Sequence, residues 1–139
     1  MTVAENHSRL LGAFSSIPDR QERLIAIVER GKRGAAYPPG EKTPSHRVPG
    51  CLSPVWLSSG LSDSTLTFQA EAESPVVKGL VRLLCELYDG ALAPDIVASE
   101  PRLLDELDLL RDLSPTRRNG LAAVRARIRE IAQRHLSAS

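Results

Sequence analysis

Residues 55–70 read VWLSSGLSDSTLTFQA, and their spacing decides the fold class. In the second half, Leu66, Phe68 and Ala70 alternate with Thr65, Thr67 and Gln69. A strand buried on one face needs this period of two. The first half begins with a β-prone run, Val55 to Ser58, followed by Ser59-Gly60, a turn signal. With SSGLSD between the two runs, an antiparallel hairpin is expected. A third strand is not evident, although the chain just before Cys51 could supply one.

Helical periodicity surrounds this hairpin. Downstream, Ser74-Pro75 pairs a capping hydroxyl with proline at the first helical position. Val76, Leu80, Leu83, Leu84 and Leu87 then form an apolar stripe over 75–89, which Gly90 ends. A short helix is expected after Pro94 and another over 101–110. A last helix starts with a second Ser-Pro pair, Ser114-Pro115, and carries Leu121, Val124, Ile128 and Ile131. Upstream, a short helix is expected over 5–14. A second starts at Asp19, with Glu22 completing a capping-box spacing and Gly31 as its C-terminal cap. The fold class is α+β, with a small antiparallel sheet of about three strands packed on several helices. A chain of 139 residues is most simply one domain, residues 1–139.

Charge and cysteine usage bound the function. The formal net charge is +1, from 18 basic and 17 acidic residues. That balance gives no general reason to expect nucleic acid or an anionic membrane as partner. No apolar run approaches the ~18 residues of a membrane span, and the start lacks the apolar core of a signal peptide. A cytoplasmic protein is expected, with its thiols kept reduced.

The two cysteines sit in contrasting settings. Cys85 lies mid-helix beside the Leu84 stripe, where a free thiol behaves as a small apolar residue. Cys51 follows the long loop 32–50, with Pro44, Pro49 and Pro54 around it and Gly50 beside it. Loops of that length in compact domains are uncommon and are usually functional or disordered. A space-filler, half of a disulfide, a metal ligand and a working thiol are the physical alternatives. The histidines His7, His46 and His135 are far apart and form no ligand pair. His46 and Arg47 lie close enough upstream to favour a Cys51 thiolate if the loop curls, or they are simply solvated. Arg117 and Arg118 occupy the first turn of the last helix, where the macrodipole favours acids. Either they are solvated, or one faces an acidic partner or a thiolate.

Three blocks resemble one family. VPGCLSPVWL, 48–57, resembles the V-x-G-C-x-S-x-V-W signature of the SufE sulfur acceptors. VVKGLVRLLCELYDG, 76–90, is similar to that family's central helix, and LSPTRRNGL, 113–121, to its L-S-P-x-R-x-N-G-L segment. Their order and separations agree as well, from about Leu10 to Ile131. The resemblance implies a SufE-like fold and a non-enzymatic accessory protein that activates a cysteine desulfurase. Pyridoxal phosphate would belong to that partner, and no cofactor to this chain. Cys51 would take sulfur as a persulfide and pass it to an iron–sulfur cluster scaffold. Gly50, Ser53, Trp56 and His46 would shape its loop, although the family often has asparagine at the His46 position. Lys78, Gly79, Arg117, Asn119 and Gly120 match the two helical blocks, with Arg117, Asn119 and Lys78 expected to serve partner binding or charge. A stand-alone thiol enzyme (a rhodanese-like sulfurtransferase or a peroxidase) and a non-catalytic adaptor are the competing readings.

Overall fold

The computed structural model describes residues 1–138, with the side chains of 137 and 138 excepted. Besides two 3₁₀ turns in the loop after the second helix, six α-helices and one three-stranded antiparallel sheet make up the regular structure among these residues. In chain order they are α1 (Val3–Ser15), α2 (Arg20–Arg33), β1 (Val55–Ser62), β2 (Thr65–Ala72), α3 (Pro75–Tyr88), β3 (Ala91–Leu92), α4 (Ala93–Ala98), α5 (Leu103–Glu106) and α6 (Pro115–Ala138). The sheet runs β1-β2-β3, and the α+β class follows from it.

The hairpin is present, but its turn lies elsewhere. Ser59 and Gly60 continue β1, paired with Phe68 and Thr67, and the ladder extends to Ser62 opposite Thr65. Asp63 and Ser64 make the turn, with φ of 49° and 72°. Positive φ at both central residues is the turn whose twist matches the flanking strands, and Asp tolerates it. Ser59-Gly60 is the stronger signal locally, yet eight paired residues on each side outweigh it. The third strand is Ala91–Leu92, opposite Leu66 and Thr65, and not the chain before Cys51. That chain contributes one isolated bridge, Arg47 opposite Trp56.

α3 forms the centre of the core. Leu80, Val81, Leu83, Leu84, Cys85, Leu87 and Tyr88 are all buried along it, each large apolar side chain contributing about 1.5–3 kcal/mol. Ser74 caps the helix by accepting from the Val77 N–H. β2 turns Leu66, Phe68, Ala70 and Ala72 to the same core. α6 adds Leu121, Val124 and Ile128, with Ala132 in the fourth buried place and Ile131 only half-buried. Cys85 is 5% exposed, and burial pushes its thiol up to about 12, so it stays protonated and inert.

Two helix ends differ from expectation. α2 runs past Gly31 to Arg33, because Gly31 sits at the crossing with α3 instead of capping the helix. There a Cβ on Gly31 would stand 2.8 Å from the Gly79 Cα, and one on Gly79 would stand 2.8 Å from the Val28 Cα. Backbone meets backbone at this crossing, and glycine on both sides permits it. The 101–110 helix shrinks to α5, after which Asp108 takes φ 57° and ends any helical course. At the N-terminus α1 begins earlier than periodicity shows, because Thr2 and Glu5 form a capping box. Its buried Asn6 donates to the Leu87 and Asp89 carbonyls, tying α1 to the end of α3.

Candidate functional site

The long loop is built from short, fixed pieces. Residues 39–41 and 44–46 form 3₁₀ turns, each with proline at its start. Tyr37 is buried, its hydroxyl close to the Ser58 hydroxyl and donating to the Glu41 carbonyl at 3.1 Å. At the end of the loop, buried Val48 donates its N–H to the Val55 carbonyl at 2.9 Å. This bond and the Arg47–Trp56 bridge close a six-residue excursion, residues 49–54, at the start of β1. On the far side the Pro54 carbonyl accepts the Glu73 N–H at 3.3 Å. Both ends of the excursion are therefore pinned to the sheet.

Cys51 sits within this excursion, half-buried. Its Sγ–H donates to the Gly120 carbonyl of α6 at 3.5 Å, joining positions 69 residues apart. A Cβ on Gly120 would stand 3.7 Å from the sulfur, and one on Gly50 would stand 3.4 Å from the Ala123 Cβ. Gly50 holds φ 90°, a conformation that other residues adopt only with strain. The excursion thus rests on one face of α6, at Gly120 and Ala123, one turn apart. Burial pushes the Cys51 thiol up, with the Arg47 charge pulling the other way by less. The resting sulfur is a protonated thiol, sheltered yet near the surface.

The other expected site residues divide into those near Cys51 and those that serve elsewhere. Ser53 is half-buried inside the excursion. Trp56 is half-buried on β1, with the Lys42 ammonium 4.7 Å from its ring centroid in a cation–π contact. His46 is turned to its own 3₁₀ segment: its Nδ1 is 2.9 Å from Thr43 Oγ1 and its Nε2 3.5 Å from a Glu41 carboxylate oxygen. Lys78 pairs with Glu71 at 3.0 Å. Burial works to raise the Glu71 carboxyl, but the Lys78 ammonium and the Ala72 N–H outweigh it and hold the group below its ordinary range. Gly79 belongs to the α2–α3 crossing. Arg117 and Asn119 are exposed in the first turns of α6. Arg118 is engaged, donating to the Leu110 and Arg111 carbonyls at 2.9 and 3.1 Å, and so anchors the start of α6.

Alkylation of Cys51 is accordingly expected to titrate above the ~8.5 of a free thiol, because burial favours the protonated form. His46→Ala is expected to leave that pH profile in place, since both ring nitrogens are engaged away from the sulfur. Iodoacetamide rates across alkaline pH check both, and a profile that moves with His46 would contradict the second.

Two features of the site escape sequence reasoning, the exposure of Leu52 and the seat of the loop. Leu52, next to Cys51, is 82% exposed. The Gly120 carbonyl and Ala123 form the seat of the loop, a pairing that no local pattern announces. Both cysteines are free thiols, and no group of three His, Cys, Asp or Glu among the described residues is placed to hold a metal. A cavity of about 700 Å³ between α2, α3 and β2 is lined by Arg30, Tyr37, Gln69, Arg82 and Cys85, and Cys51 is not part of it.

Comparison with known proteins bears on the family and the fold. The family model SufE, described as the Fe-S metabolism associated domain, matches residues 8–132. An uncharacterized SufE-like protein of Rhizobium etli is 29% identical over 130 residues, covering 90% of this chain and 88% of that one. A second, from Rhizobium meliloti, is 28% identical over 135 residues, covering 94% and 96%. The solution structure of a hypothetical protein from Thermus thermophilus superposes with a TM-score of 0.77 at 22% identity, covering 95% and 96%, and shares the fold. With the family model spanning nearly the whole chain, the protein belongs to the SufE family, associated with iron–sulfur metabolism.

Proposed function

We propose that the protein is a sulfur acceptor that activates a cysteine desulfurase, carrying sulfur as a persulfide on Cys51 to an iron–sulfur cluster scaffold. One observation supports this most strongly: the Cys51 thiol is half-buried on a short excursion pinned at both ends, seated on Gly120. Such a loop can shelter a reactive sulfur and present it without disturbing the sheet. The desulfurase, which would carry the pyridoxal phosphate chemistry, would offer the sulfur of free cysteine as a persulfide on its own cysteine. The Cys51 thiol gives its proton to water, and the thiolate attacks the outer sulfur of that persulfide. The donor S–S bond breaks, the donor leaves as a thiolate, and a new S–S bond forms on Cys51. No net oxidation occurs, so no external oxidant is needed. A reducing cytoplasm fits this chemistry, because it keeps the acceptor thiol free.

A peroxidase reading gains nothing from the structure. Its usual second step uses a resolving thiol, and buried Cys85, pushed up to about 12, is poorly suited to that role. Incubation with sulfur-labelled cysteine and a desulfurase tests the proposal. Label is expected on the wild-type chain and is released by a thiol reductant. Label that stays on the desulfurase would contradict it.

A further inference from the structure

We infer that the face around Cys51 docks an acidic protein surface, with Leu52 as the apolar anchor that enters a recess on it. This rests on the sulfur-acceptor reading and specifies the surface that the sulfur donor presents. Among the large apolar side chains that the structure leaves exposed, Leu52 at 82% stands well clear of the next, Met1 at 63%. It is the next residue after the thiol, on an excursion whose two ends are held to the sheet, so it travels with Cys51. Nothing in the fold covers it, and removing it from water is favourable only on contact with another surface.

The two segments that form this face are one-sided in charge, although the chain as a whole is nearly balanced at +1 and exposed Glu73 adjoins the excursion at Pro54. Residues 42–62, which contain the excursion, have no Asp or Glu, and neither do residues 114–129, which contain its seat on α6. Arg47 is exposed and close enough to act on the Cys51 thiol. Arg117 is exposed one turn before Gly120, on which the thiol rests. Neither guanidinium forms an ion pair among the described residues. An apolar knob beside two unmatched cations fits a protein recess with carboxylates on its rim, which would both steer the encounter and fix its register. Nucleic acid offers phosphates but no recess for an isolated leucine.

The test compares two donors for loading sulfur onto Cys51, followed by mass. One donor is a cysteine desulfurase from the same genome with free cysteine. The other is inorganic polysulfide, whose chain the Cys51 thiolate attacks, breaking one S–S bond and releasing a polysulfide shorter by one sulfur. In Leu52→Ser the ratio of desulfurase-driven to polysulfide-driven rate is expected to fall about tenfold or more. Leu52→Met is expected to restore most of it, and Arg117→Glu to lower it in a salt-dependent way. An unchanged ratio in Leu52→Ser would overturn the inference. So would equal slowing with both donors, which would make Leu52 a support of the loop. Wild-type protein that binds DNA yet shows a ratio indifferent to Leu52 would also overturn it. If the wild type takes sulfur from neither donor, the acceptor reading itself falls.

Discussion

Cys51→Ser is expected to lose sulfur acceptance completely and to leave desulfurase turnover at its unstimulated level. The hydroxyl is not a nucleophile toward sulfur at neutral pH, and Cys85, fully embedded in α3, cannot substitute. The fold should be unaffected. Serine retains a donor for the Gly120 carbonyl at a half-buried position, so stability should change by no more than about 0.5 kcal/mol. Binding to the partner should also persist, because the docking face stays intact. Turnover measured while titrating each chain into a desulfurase, alongside a binding curve, separates the two effects. Stimulation that survives in Cys51→Ala would favour the adaptor reading.

Gly79→Ala is expected to have the largest effect on stability, lowering it by about 1–3 kcal/mol and toward the upper end of that range. The added methyl would stand 2.8 Å from the Val28 Cα and 3.1 Å from the Ile27 carbonyl, and backbone atoms cannot step aside as a flexible side chain can. α2 and α3 would have to separate, loosening contacts around Ile27 and Leu80. Gly12→Ala is the control. It lies in an exposed part of α1 with nothing within 4 Å, so better helix propensity should stabilise it by up to about 1 kcal/mol. Denaturant midpoints of the two variants should move in opposite directions. In the Lys-Gly pair at 78–79, Gly79 thus serves the helix crossing and Lys78 the Glu71 ion pair.

What could be read from the chain depended on the range of the forces involved. The two long strands and the 75–89 helix were legible because each carries its own period over many residues. The Asp63-Ser64 turn was not, since the ladder length that places it is a property of two strands together. β3 is two residues long, too short for any period, and exists because Gly90 donates to the Leu66 carbonyl and brings Ala91 alongside β2. Gly31 looked like a cap, because sequence shows the residue but not the helix that crosses it. At the site, the loop setting of Cys51 and the core position of Cys85 could both be inferred from their neighbours. The seat on Gly120 and Ala123 could not, because it joins segments 69 residues apart. His46 was a reasonable suspect by proximity along the chain, and the 3₁₀ turn at 44–46 directs it to Thr43 and Glu41 instead.

The most direct test of the central claim is the mass of the intact chain after incubation with a cysteine desulfurase and free cysteine, followed by peptide mapping. The account predicts a gain of one sulfur atom, located on Cys51 and removed by reductant. A chain that gains no sulfur, or gains it on Cys85, would contradict it.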